Sequence, residues 1–386
     1  MAEQTLESPL FLPHDRIDDL IAVLKQHGYR VIGPQVRDGA IIYDELAMAK
    51  HLPWGWRDIQ QPGSYQLKQL NTKRAFAFSV GTQGLKPFLF KPYETVWRVE
   101  RDKAGKLTFF PFTAEEAPIA FFGARSCDLR ALAIQDKVYI YNDYPDKTYQ
   151  KRRESLFLIA VNCSYSSSNC FCLSAGGSPQ VHEQADLILT EIDHGFVIET
   201  ASENGFNIIS LLKLPQAEKQ KLTHAKEEIE KAIVMQEKRI PKDNQSVLND
   251  ILFANLDHPQ WDDVAARCLS CGNCTNSCPT CFCHTQVEKP DLDGQASTHE
   301  RQWDSCFNAG HSYFARQVLR NDTKSRYKQW LTHKVGSWHD QFGCSGCVGC
   351  GRCIAWCPTG IDLTSELSAI TGESNKRSDH DGPERP

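Results

Sequence analysis

The chain has 386 residues, of which 41% are hydrophobic and 24% charged, with a net charge of −5, a pI near 6.2 and a mean hydropathy of −0.44. This length fits two or three soluble domains. There is no basic surplus to attract nucleic acid, and no apolar run approaches a membrane span, so both partner classes are excluded.

In chain order, FLPHDRIDDLIAVLKQHGYRVIGPQ has apolar residues at helical spacing over 17–24, a stop at Gly28, and an extended piece at 29–32. Residues 40–110 read as short β-like pieces, AIIYDEL, KPFLFKPY, TVWRVE and LTFFPF, separated by turns. PIAFFGARSCDLRALAIQDKVYI then predicts a buried strand at 118–122, a small-residue loop and a helix from about Ser126. A second apolar strand follows in LFLIAVNC, 156–163. Strand, helix, strand implies parallel pairing in an α/β domain. The charged segment 214–241 reads as a surface helix and connector. The expected architecture is an N-terminal α+β or α/β domain over 1–240 with a partly parallel sheet. A mainly α-helical dicluster ferredoxin domain follows over 241–370, and then a disordered polar tail, 371–386.

The chemistry lies in the sixteen cysteines. None occurs in the first 126 residues, and twelve fall between Cys268 and Cys357. MAEQTLESPL lacks the basic and apolar regions of an export signal, so a cytoplasmic location is expected. In a reducing compartment such cysteines bind metal or do redox work more often than they form disulfides.

CLSCGNCTNSCP and CVGCGRCIAWCP both follow C-x2-C-x2-C-x3-C-P, the bacterial ferredoxin run. Two-residue gaps let a loop wrap three corners of a cubane with backbone N–H groups aimed at the sulfurs, and glycines permit the tight turns. The fourth cysteine of such a run ligates the other cluster in two-cluster ferredoxins. By that analogy Cys268, Cys271, Cys274 and Cys357 hold one [4Fe–4S] cluster, and Cys347, Cys350, Cys353 and Cys278 hold a second. Zinc fits poorly, because its sites pair two knuckles rather than repeat a three-rung ladder ending in C-P.

Eight cysteines remain. Cys127 opens the helix after one strand and Cys163 ends the next, so both lie at the carboxyl edge of one sheet, where α/β domains place ligands. Cys170 and Cys172 follow in NCSYSSSNCFC. These four form either a third [4Fe–4S] site or a set of buried thiols, and a helix N-terminus favours a thiolate at Cys127. Cys281, Cys283, His284 and Cys306 bind a further metal or, the preferred reading, Cys281 and Cys283 pack beside the first cluster. Cys344 is out of register and reads as a free thiol. Gly176–Gly177 is a turn, His333 and His339 are ordinary surface or core histidines, and Asp128 with Arg130 forms a capping pair. No GxGxxG follows a strand, so no flavin or NAD is expected on this chain.

RCLSCGNCTNSCPTCFC, RQWDSC, RYKQWLTHKVGSWHDQFG and SGCVGCGRCIAWCPTGIDLT resemble the iron–sulfur β subunit of cytoplasmic sulfhydrogenases, the NAD(P)-linked [NiFe] hydrogenases. GARSCDLRAL and NCSYSSSNCFCLSAGGSP are similar to the same family. The electron-transfer subunit of anaerobic sulfite reductase is related and shares both ladders, while THKVGSWHDQFG is closer to the hydrogenase branch. Cys344 departs from the family pattern. The resemblance implies an electron-transfer subunit, not itself catalytic. It would relay electrons between the small and large subunits of a [NiFe] hydrogenase and an FAD-containing, NAD(P)H-reacting subunit. The alternatives are the corresponding sulfite reductase subunit, or a polysulfide-reducing subunit whose reaction occurs at the 127/163/170/172 site.

Overall fold

The structure is a computed structural model that describes residues 8–111, 116–241 and 245–376. Its N-terminal strands are β1 (Leu10–Pro13), β2 (Arg30–Arg37), β3 (Ala40–Glu45), β4 (Trp56–Gln61), β5 (Ser64–Gln69), β6 (Tyr93–Arg101) and β7 (Leu107–Pro111). They are followed by β8 (Ile119–Ala124), β9 (Phe157–Val161), β10 (Leu187–Ile192), β11 (Gly195–Thr200), β12 (His284–Pro290) and β13 (Ala296–Trp303). Seven of these form a mixed sheet in the order β1-β11-β10-β9-β8-β2-β3. Its centre, β10-β9-β8-β2, is parallel and its flanks are antiparallel.

The parallel pairing of β8 with β9 follows from sequence physics. IAFFGA and FLIAV are apolar without alternation because both of their faces are covered. On one face, Ala120, Phe122, Phe157, Ile159 and Val161 meet Leu20, Ile21 and Leu24 of the helix Ile17–Gln26. On the other, Phe121 and Leu158 meet Leu129 and Leu132 of the helix Ser126–Tyr139. The helix Lys219–Val234 lies within the segment expected to be helical and buries Ala225, Ile229 and Ala232.

Three differences from the sequence reading have clear causes. KPFLFKPY contains a short helix, Lys86–Leu89, because Pro87 sits in its first turn, where a missing N–H is harmless. The region after 240 is helical around the ladders but also holds the hairpin β12–β13, whose polar sequences HTQVEKP and ASTHERQW hide it. That hairpin joins β6 and β7 in an antiparallel sheet of order β12-β13-β6-β7, so one sheet draws strands from both sides of residue 240. At the end of the chain, the helix Leu363–Thr371 is followed by residues that still pair: Arg239 N–H donates to Asn375 O at 2.8 Å. The rest of the tail expected to be disordered, 377–386, lies outside the described residues.

A buried cation ties the sheet edge together. Arg125, fully buried, donates to Val161 O (3.3 Å) and Asn162 O (3.1 Å) at the end of β9, and to Phe76 O (3.2 Å) and Phe78 O (2.7 Å). Arg125→Met leaves these carbonyls unsatisfied, and buried polar groups left unpaired cost about 1–3 kcal/mol each. The variant is expected to lose at least about 3 kcal/mol, read as a fall in the urea midpoint at unchanged slope. At the same end of the sheet, the loop after β9 packs on the second ladder. Gly349 has a φ of +67°, and a Cβ there would stand 2.5 Å from Phe171 O and 2.6 Å from Cys172 Cα. Gly349→Ala therefore displaces residues 167–177, and faster amide exchange in that segment is the expected result. Unchanged exchange would refute the packing.

Candidate iron–sulfur centres

The two ladders fold as loops that lead into short helices, Asn273–Asn276 and Arg352–Ala355. Each helix is preceded by a left-handed glycine, Gly272 or Gly351. This geometry turns backbone N–H groups toward sulfur. Ser270 N–H donates to Cys268 Sγ (3.4 Å) and Ile361 N–H to Cys357 Sγ (3.4 Å), while the Gly349 and Arg352 N–H groups serve Cys347 and Cys350. The wrapping expected from the two-residue gaps is present.

The structure brings Cys268, Cys271, Cys274 and Cys357 to one cavity, jacketed by Phe307, Tyr327, Trp330, Ile361 and Leu363, with Cys353 at its wall. Cys274 is held well above the ordinary thiol pKa by burial first, and then by the neighbouring Cys268, Cys281, Cys357 and Cys271. Cys278 leaves its own ladder and lies with Cys347, Cys350 and Cys353. The Cys353 thiol is pushed up by burial and then by Cys347, Cys278, Cys350 and Cys274. Each fourth cysteine thus sits with the other ladder's first three.

Cys127 lies in the first turn of the helix Ser126–Tyr139, and Cys163 lies two residues past β9. The Cys163 thiol bears on Cys127, Cys170 and Cys172, so these four are also neighbours. Gln236 Nε2 donates to Cys172 Sγ at 3.1 Å, and Ser167 Oγ lies 3.3 Å from Cys170 Sγ. Burial pushes Cys170 up to about 12 and Cys127 well above its usual value. At Cys127, desolvation and the adjacent Asp128 carboxylate act against the thiolate that a helix N-terminus favours.

The donor chemistry fits iron–sulfur clusters. Buried, crowded thiols resist ionisation until a cation supplies the counter-charge, and a coordinating thiol then loses its proton outright. Among the described residues, no three His, Cys, Asp or Glu side chains close around a point as ligands of a single metal ion do. A tetrahedral zinc site would need sulfurs only about 4 Å apart. If clusters are bound, Cys268, Cys271, Cys274 and Cys357 would hold one and Cys278, Cys347, Cys350 and Cys353 another, with Cys127, Cys163, Cys170 and Cys172 able to hold a third.

The three sets are contiguous. Cys274 bears on Cys353, and Cys350 on Cys127. A buried ion pair spans the second contact: Arg352 Nη2 lies 2.8 Å from Asp128 Oδ1, both side chains fully buried. Asp128 also accepts from Arg125 N–H (3.1 Å) and caps its own helix. Arg130 instead donates to Ala175 O at 2.8 Å. Cys281 borders both Cys274 and Cys278, and Cys283 is hydrogen-bonded to Cys281 and Cys306. His284 and His333 line a wide cavity beside Cys283 and Cys306, and burial lowers the pKa of both histidines. Cys344 receives a contact from Lys137 Nζ at 3.5 Å.

Sequence reasoning missed Lys334. This buried lysine donates to Cys278 Sγ (3.2 Å), Thr280 Oγ1 (2.9 Å) and Gly346 O (3.2 Å). Burial opposes ionisation of Cys278, yet the Lys334 ammonium and the Thr280 hydroxyl bring its pKa below the ordinary thiol value. A lone lysine in THKVG carries no sequence signal for this role.

Residues 267–361 match the family described as a 4Fe-4S dicluster domain. Over 323 residues, 81% of this chain and 90% of the relative, the sequence is 26% identical to Sulfhydrogenase 2 subunit beta of Pyrococcus furiosus. No solved structure matches. Among the described residues no helix is long and apolar enough to cross a membrane. The resemblance carried by the cysteine segments is upheld: the ladder region matches a 4Fe-4S dicluster domain, and most of the chain is similar to a sulfhydrogenase beta subunit.

Proposed function

We propose that the chain is an electron-transfer subunit of a sulfhydrogenase-type complex. It would relay electrons between an FAD-containing subunit that reacts with NAD(P)H and a [NiFe] hydrogenase unit. The observation that carries this reading is the row of adjacent thiol sets running from the cavity at Cys268 through Cys353 and Cys350 to Cys127 at the sheet edge. Each bound cluster supplies one-electron chemistry. The chain's residues hold the clusters, exclude water with an apolar jacket and fix their spacing.

On this reading the dicluster half over 241–370 carries two cubanes, and the α/β half over 1–240 carries a third at Cys127, Cys163, Cys170 and Cys172. The cavity also supports exchange of fourth ligands between the ladders. Cys357→Ser is therefore expected to leave the same residual EPR spectrum as Cys268→Ser, and Cys278→Ser the same as Cys353→Ser. If each ladder ligated its own cluster, Cys357→Ser would match Cys353→Ser instead.

Iron analysis tests the third centre. The loaded chain is expected to hold about twelve iron atoms, and Cys163→Ser about eight, with both ladder spectra intact. A native count of about eight would remove the third cluster. The destination of the electrons is read by anaerobic isolation of the native complex through a tag on this chain. Near-stoichiometric nickel together with FAD is the expected result. Sirohaem without nickel would move the chain to the sulfite reductase branch, and iron alone would overturn the hydrogenase reading.

A further inference from the structure

The Lys334 contact rests on the reading that Cys278, Cys347, Cys350 and Cys353 hold a cubane, and it adds something that reading does not contain. The helix Thr323–Thr332 widens into a π turn, His333–Ser337, before Trp338–Phe342. Such turns concentrate at functional sites. Here the wide turn buries Lys334, Val335 and Gly336 in succession. The Lys334 ammonium has three N–H groups and directs them to Cys278 Sγ, Thr280 Oγ1 and Gly346 O. Thr280 Oγ1 in turn donates to Gly346 O at 2.7 Å and lies 3.1 Å from Cys278 Sγ, which closes the pocket around the cation. Among the described residues no carboxylate pairs with Lys334, so its nearest charged partner is the sulfur.

The other ladder site is built differently. Its sulfurs Cys268 and Cys357 accept from neutral backbone N–H groups, and the nearby Arg267 is committed to Asp263 (2.6 Å) and Glu366 (2.9 Å).

We propose that Lys334 sets the reduction potential of the cubane on Cys278, Cys347, Cys350 and Cys353, holding it above the value it would have without the ammonium. Reduction adds one negative charge to a cluster, and a fixed positive charge on a ligand sulfur favours the reduced form. Net charge and hydrogen bonds to sulfur are among the determinants of cluster potential. Burial keeps salt and water from screening the interaction. Lys334 is a positioning residue in this sense, since it acts through the Cys278 sulfur.

The test is EPR-monitored potentiometry on the native complex carrying Lys334→Met, Lys334→Gln or Lys334→Arg. In the two neutral variants one cubane is expected to become at least tenfold harder to reduce, about 59 mV for a one-electron couple. That cubane is the one whose spectrum Cys278→Ser and Cys353→Ser remove. The other centres and the iron content stay as in the native protein, and Lys334→Arg restores most of the shift. Unmoved midpoints with full iron overturn the proposal. So does loss of the cubane from both neutral variants with retention in Lys334→Arg, which would make Lys334 a clamp for the loop. If the native protein gives no second cubane by EPR and iron count, the cluster reading itself fails, and that outcome is distinct from a cubane that is present but insensitive to residue 334.

Discussion

Burying sulfur is the constraint on which the structure turns. A thiol in an apolar interior stays protonated unless a positive charge stands beside it. Here the ladder thiols Cys274, Cys347 and Cys353, and Cys127, Cys170 and Cys172 at the sheet edge, are all pushed above their usual pKa by burial. In the empty protein such groups stay neutral, and their ionisation becomes favourable when a cation such as iron supplies the counter-charge. If clusters are bound there, loading would be linked to proton release from these thiols. Cys278 is the exception that shows the rule, since its counter-charge, Lys334, belongs to the protein.

The two halves of the chain are interlocked in ways that serve this gathering. β12 and β13 complete a sheet begun by β6 and β7. The turn between β4 and β5 reaches the end of the second ladder, where Gly63 N–H donates to Ile354 O at 3.0 Å and Tyr65 stacks on Trp356. Asp128 and Arg352 are joined without solvent, and such pairs are costly to break from one side. The loop that presents Cys170 and Cys172 lies on Gly349, so its position depends on the ladder it touches. These contacts fix the separations of the cysteine sets from several directions rather than through one hinge, as a relay would require.

Much of this is legible in the sequence, for specific reasons. The ladders declare themselves because a cubane dictates ligand spacing along a single loop. The strands β8 and β9 and the helix between them are readable because burial on both sheet faces leaves continuous apolar runs. The hairpin β12–β13 is not, since a sheet with polar side chains carries weak alternation, and its partner strands lie nearly two hundred residues earlier in the chain. The short helix at Lys86 reads as a strand because apolar content outweighs the proline signal. Lys334 and the Asp128–Arg352 pair are invisible for a different reason. The roles of charged residues come from what surrounds them, and their surroundings are assembled from distant segments.

The placement of the cysteine sets also bears on how partners would attach. The Cys268 set opens toward the surface, with Cys271 exposed, whereas the Cys347 set is enclosed and the Cys127 set lies at the carboxyl edge of the parallel sheet. On the proposed three-cluster reading, an electron entering at the exposed end would pass the Cys274–Cys353 contact and then the Cys350–Cys127 contact to reach the sheet edge. In such a relay the middle position would be the one that both exchanges share. It is also the position where Lys334 donates to a cysteine sulfur. A central cluster made easier to reduce would hold an electron between two terminal exchanges and so smooth the conversion of a two-electron donor into single-electron steps.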